Sequence, residues 1–111
     1  MNLGSDDTRI ELNRVENNGF FGLAIVNFCL VVAGTPFSCT ADPPAFDPLP
    51  ENNAAVDNVF VNNGTNPPAG QPFAFAAADI TLVTFVDRNN CFSGNTFGTF
   101  FSVIGAPPAC P

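Results

Sequence analysis

The chain has 111 residues, 46% hydrophobic and 12% charged, which supports one packed domain and is too apolar for a disordered segment. Ten acidic residues stand against three Arg and no Lys, for a net charge of −7; binding to nucleic acid by phosphate neutralisation and attraction to an anionic membrane surface are both excluded. With no His and no Lys, the chain also lacks the means for Ser-His-Asp or Cys-His nucleophiles, for zinc sites that need His, and for Schiff-base or P-loop chemistry.

Taken in chain order, short runs of Val, Ile, Phe and Thr bounded by Asn, Gly and Pro predict strands over 9–15, 20–27 with an extension to 32, 55–61, 79–86 and 97–104. Eleven Pro and nine Gly leave no window for a long helix. The stretches 36–53 and 66–72 read as loops inserted into a single module spanning 1–111. The apolar run from 20 to 33 is broken by Gly22 and Asn27 and falls short of the ~18 residues that cross a bilayer, so no membrane insertion is expected. Thirteen Phe with no Trp or Tyr make an aromatic set without polar handles, which suits core filling.

An internal repeat is the most informative feature. Asn13-Arg14-Val15-Glu16-Asn17-Asn18-Gly19-Phe20, Asn58-Val59-Phe60-Val61-Asn62-Asn63-Gly64-Thr65 and Asn90-Cys91-Phe92-Ser93-Gly94-Asn95-Thr96-Phe97 share the frame N-x-[V/F]-x-x-N-x-[F/T]. In each, a short strand points Val15, Phe60 or Phe92 inward, and an Asn or Asn-Gly in the left-handed conformation turns the chain. Stacking the copies predicts a ladder of side-chain amides at Asn18, Asn63 and Asn95. If one coil takes on the order of 20 to 25 residues, the interval from the first copy to the second holds two coils and that from the second to the third holds one coil and a loop. The same Asn-Gly and Gly-Asn pairs also signal hairpins, so the alternative fold is an antiparallel β-sandwich.

The stretches 13–26, 55–68 and 90–97 resemble the closing coils of right-handed parallel β-helix repeat proteins of the pectate-lyase-like and periplasmic copper-processing (NosD-like) type. That resemblance implies an all-β fold, a short right-handed parallel β-helix solenoid with inserted loops. It implies no particular activity, since some members act on polysaccharides and others are adhesive or structural.

Four Cys set among Pro, Gly and Asn favour disulfides over metal ligation. Cys29–Cys39 and Cys91–Cys110 are the preferred pairs because each brackets one turn or terminal segment; the other two connectivities stay open. No catalytic, cofactor or metal site is expected. Asp6-Asp7 resembles the double-Asp element of β-helix polygalacturonases, yet the companion histidine and basic motifs have no counterpart. Asp79 and Asp87 lie at opposite ends of one predicted strand, too far apart to share a cation. Asp42, Asp47 and Glu51 read as a solvated proline-rich loop, and Asn63-Gly64-Thr65, although a glycosylation sequon, as an ordinary turn.

The expected function is therefore a non-enzymatic structural or binding module, the terminal coils and cap of a solenoid in an exported protein, extracellular or periplasmic. Its expected partners are upstream β-helix coils or a second copy. The start of the chain has no basic, apolar leader, which reads as a fragment or processed form. The alternative function is a carbohydrate-binding or lyase-type module that takes a polysaccharide.

Overall fold

A computed structural model describes residues 2–3, 6–27, 49–70, 74–84, 88–105 and 108–111. Nine strands form within them: β1 (Asn2–Leu3), β2 (Arg9–Glu11), β3 (Arg14–Glu16), β4 (Phe21–Val26), β5 (Ala54–Val56), β6 (Val59–Val61), β7 (Ala78–Val83), β8 (Cys91–Ser93) and β9 (Phe100–Ser102). A single turn of 3₁₀ helix at Ala74–Ala76 precedes β7.

The strands make three sheets, ordered β1-β4-β7-β9, β2-β5-β8 and β3-β6. Every strand pair among the described residues is parallel, which removes the antiparallel sandwich. The chain visits the sheets in rotation. A first pass lays down β2, β3 and β4, a second lays β5, β6 and β7 beside them, and a third adds β8, a bridge at Thr96 beside Val59, and β9. Register is tight: Ile10 lies beside Ala55 and Ala55 beside Phe92, while Val15 lies beside Phe60.

Side-chain alternation then selects the core. Leu23, Ile25, Ala55, Phe60, Ile80, Leu82 and Phe92 form one buried cluster, with Ile10, Val15, Phe100 and Ile104 packed on it. The intervening residues of the longest sheet face the other way, yet Ala24, Val26 and Val83 are buried too, with Ala76 of the 3₁₀ turn among them. A strand buried on both faces reads as a continuous apolar run, which is how 20–27 and 79–86 stand out in the sequence.

Three expectations change in detail. The predicted strands 9–15 and 55–61 are each two strands, broken at Leu12 (φ 58°) and Asp57 (φ 56°), where the chain takes the left-handed conformation and turns a corner. Ordered pairing resumes inside the predicted 36–53 loop, since Glu51 bridges Asp6; the part of that loop from 36 to 48 lies outside the described residues. The 45-residue interval between Asn13 and Asn58 holds one pass, not two coils, because β2 and β5 are direct neighbours.

Candidate functional site

The local unit that builds the sheets is five residues long. Left-handed residues occur at Asp7, Leu12 and Asn17, at Asn52, Asp57 and Asn62, and at Asn89 and Gly94. After each comes Thr8, Asn13, Asn18, Asn53, Asn58, Asn63, Asn90 or Asn95, and two residues later the inward position: Ile10, Val15, Ala55, Phe60 or Phe92. Asn, Asp and Gly tolerate the left-handed region at low cost, whereas Leu does not. At the Gly94 corner a Cβ would also run into the Asp57 carboxylate stacked beside it.

The residue after each corner carries the polar chemistry. Asn53, Asn58, Asn63 and Asn90 are buried, and a buried amide without partners costs about 1–3 kcal/mol. They are satisfied in three rows. In the second row, the backbone N and Nδ2 of Asn13 donate to Asn58 Oδ1 (3.0 and 3.1 Å), and those of Asn58 donate to Asn95 Oδ1 (2.9 and 3.0 Å). The first row runs from Thr8 N to Asn53 Oδ1 and from Asn53 to Asn90 Oδ1.

The third row runs from Asn18 to Asn63 Oδ1 and ends on a carboxylate. Backbone N and Nδ2 of Asn63 both donate to Asp79 Oδ1 at 2.9 Å, while Gly98 N (2.8 Å) and Thr99 N (3.2 Å) donate to Asp79 Oδ2. Burial raises the Asp79 pKa, but these hydrogen bonds to the ionised form outweigh it and hold the carboxyl below its ordinary value of 3.8. The environment suits a permanently ionised anchor rather than a proton donor.

Asn95 thus belongs to the row of Asn13 and Asn58, not to that of Asn18 and Asn63. The repeating unit is five residues, so the third copy of the sequence frame can be aligned one unit out; the contacts put Asn58 with Asn95, 37 residues on. The position opposite Asn63 goes to Asp79, which the sequence reading assigned to a strand end. Asn63 is only 3% exposed and its Nδ2 donates to Val15 O and Asp79 Oδ1, so the sequon is an internal row, closed to a glycan.

The two ends of the rows differ. On the second and third passes the other Nδ2 hydrogen reaches back to the preceding pass: Asn58 to Ile10 O, Asn63 to Val15 O, Asn90 to Pro50 O and Asn95 to Ala55 O. On the first pass it folds onto its own strand, Asn13 to Glu11 O and Asn18 to Glu16 O. Among the described residues nothing pairs with the outer side of β2 or β3. In the β2-β5-β8 sheet the opposite edge, β8, is covered: Phe92 N donates to Pro108 O, Cys110 N to Ser93 Oγ, and a disulfide joins Cys91 to Cys110. Cys29 and Cys39 lie outside the described residues.

The remaining candidates do not converge. Asp6 Oδ1 accepts Glu51 N, Asp7 occupies a corner, and Glu51 faces Arg88 at 3.6 Å. Asp42, Asp47 and Asp87 lie outside the described residues. Surface hollows among the described residues include one beside Asn89, Cys91 and Pro108 and another beside Asn63, Asp79 and Thr99. Neither is lined by an exposed ring. Phe75 is the most exposed aromatic of the described residues, at 68%, and lies edge-on to Phe101.

No family model matches the chain, and no curated protein or solved structure matches it. Among the described residues, no helix is long and apolar enough to cross a membrane.

Proposed function

We propose that the chain is a non-enzymatic structural module, the terminal coils and cap of a short right-handed parallel β-helix from an exported protein. The observation that carries this reading is the pairing of one end whose polar rows stop short with another end tied down by the C-terminal segment. Sheets visited in rotation by parallel strands support a solenoid, and the near-universal hand of parallel crossovers supports the right-handed form. A disulfide across the covered edge supports an oxidising compartment, extracellular or periplasmic. In this role the rows set the register, the disulfide segment shields the edge of β8, and the module closes one end of the stack.

A carbohydrate-binding or lyase-type module is the second reading, and the exposed Phe75 ring beside Phe101 is the observation in its favour. Phe60 and Phe92 are buried, so the two rings that the repeat frame carries offer no face to a sugar chain.

Solution NMR of the whole chain, paired with affinity electrophoresis in polysaccharide-loaded gels, separates the two. The structural reading expects parallel inter-strand contacts linking Ile10, Ala55 and Phe92, with unchanged mobility in every gel. Retardation that disappears in Phe75→Ala would move the function to carbohydrate binding, and antiparallel contacts would remove the solenoid.

A further inference from the structure

The outer edge of β2 and β3 is written in charge. Two of the chain's three Arg stand there, each paired with a Glu two residues on: Arg9 Nε with Glu11 Oε2 at 2.7 Å, and Arg14 Nε with Glu16 Oε2 at 3.0 Å. Strands β5, β6 and β8, which stack behind them, carry no charged residue. Between the two pairs sits Leu12, 77% exposed at a left-handed corner.

The backbone fixes which groups face outward, two of them, Glu11 O and Glu16 O, also accepting from the side-chain amides of Asn13 and Asn18. Thr8 O and Leu12 N bond into β5, and Asn13 O and Asn17 N bond into β6. Because backbone groups alternate sides along a strand, the N–H and C=O of Arg9, Glu11, Arg14 and Glu16 face away from the stack. An edge of this kind is a template for another strand.

We propose that this edge is the interface for a second copy of the chain, docked about a two-fold axis at the corner between Leu12 and Asn13. The segment Arg9-Ile10-Glu11-Leu12-Asn13-Arg14-Val15-Glu16 is a charge palindrome. Run antiparallel against itself, it sets Arg9 opposite Glu16 of the second copy, Ile10 opposite Val15 and Glu11 opposite Arg14. The outward backbone groups fall opposite one another in the same phase, Ile10 and Val15 continue the core across the junction, and the two Leu12 side chains meet near the axis.

The interface is isologous, so it closes at two copies. A head-to-tail stack through the β2-β5-β8 sheet is blocked, because its far edge, β8, is covered by Pro108, Cys110 and the Cys91–Cys110 bridge. The proposal rests on the reading of the chain as an end module and names what occupies the outer edge of β2 and β3: two modules joined along these strands, beside the β1 strands that pair with β4, each cap facing outward.

Sedimentation velocity of the full chain over a concentration series, at low and high salt, tests it. The expected result is a dimer that weakens as salt rises. Arg9→Glu sets like charges opposite and raises the dissociation constant about tenfold or more; the double variant Arg9→Glu with Glu16→Arg restores it to within about threefold. Leu12→Asp, which leaves all four charges in place, also weakens the dimer. A monomer at every concentration overturns the proposal, as does a dimer indifferent to Arg9→Glu or restored by Glu11→Arg instead of Glu16→Arg. Parallel contacts between Ile10 and Ala55, read by NMR on the same samples, tell a failed dimer from a failed module.

Discussion

Asn63 and Asp79 meet through two hydrogen bonds onto a single oxygen, Asp79 Oδ1, leaving Oδ2 to Gly98 and Thr99 of the last pass. Asp79 therefore ties the second pass to the third with a group that only accepts. Asp79→Asn turns one acceptor into a donor facing N–H groups and is expected to cost about 1–3 kcal/mol, seen as a lower urea midpoint. An unchanged midpoint would show that the carboxylate is not the anchor.

The same carboxylate gives a pH dependence with a definite sign. Its folded pKa lies below the ordinary 3.8, so the unfolded chain binds this proton more readily. The stabilisation from Asp79 is full above the unfolded value and is lost as pH falls through the folded one. Urea midpoints taken downward from neutral pH should fall in that acid window for the native chain and fall less for Asp79→Asn.

Leu12 holds φ 58° with its side chain in solvent, a conformation that costs an L-residue about 1–2 kcal/mol. Leu12→Asn or Leu12→Gly is expected to raise the stability of the single chain by up to about 1 kcal/mol, measured by urea unfolding at low protein concentration. A loss would mean that Leu12 makes a contact in the folded chain that outweighs its strain.

Reducing the Cys91–Cys110 bridge opens a loop with a sequence separation of 19 and is expected to cost about 2–4 kcal/mol. Hydrogen exchange should quicken first at the Phe92 amide, which donates to Pro108 O, and at the Cys110 amide, which donates to Ser93 Oγ. Exchange that stays slow at both would show that the segment holds the edge without its covalent tie.

Asn58 has its amide and its backbone N–H committed to Asn95, Ile10 and Asn13, and it is buried. Asn58→Ala strands groups on both neighbouring passes and is expected to cost more than about 2 kcal/mol, whereas Asn17→Ala at an exposed corner acts chiefly through backbone strain. Comparing the two by thermal unfolding separates row from corner.

Much of the all-β character was legible because corners of Asn and Gly leave a visible mark, and the Cys91–Cys110 pair followed from its bracketing of the terminal segment. The five-residue period was obscured by two substitutions: Leu12 holds a corner elsewhere given mainly to Asn or Asp, and Thr8 stands where the other passes have Asn. With Leu12 read as a strand residue, 9–15 looked continuous. β8 was legible from the repeat frame, which placed Phe92 inward on a short strand, and not from a run of strand-forming residues. Asp79 was legible as a strand-end residue but not as the partner of Asn63, because 16 residues separate the two in the chain and only the folded register brings them together.

Successive passes take 45 and then 37 residues to return to the same row, yet the amide contacts at Asn58 are alike on both sides. Alignment is thus re-established locally at each corner and does not depend on the length of chain travelled between them. Segments leaving the stack after Asn63 can lengthen or diversify while the rows stay fixed, so the scaffold and whatever its loops display can change independently of one another.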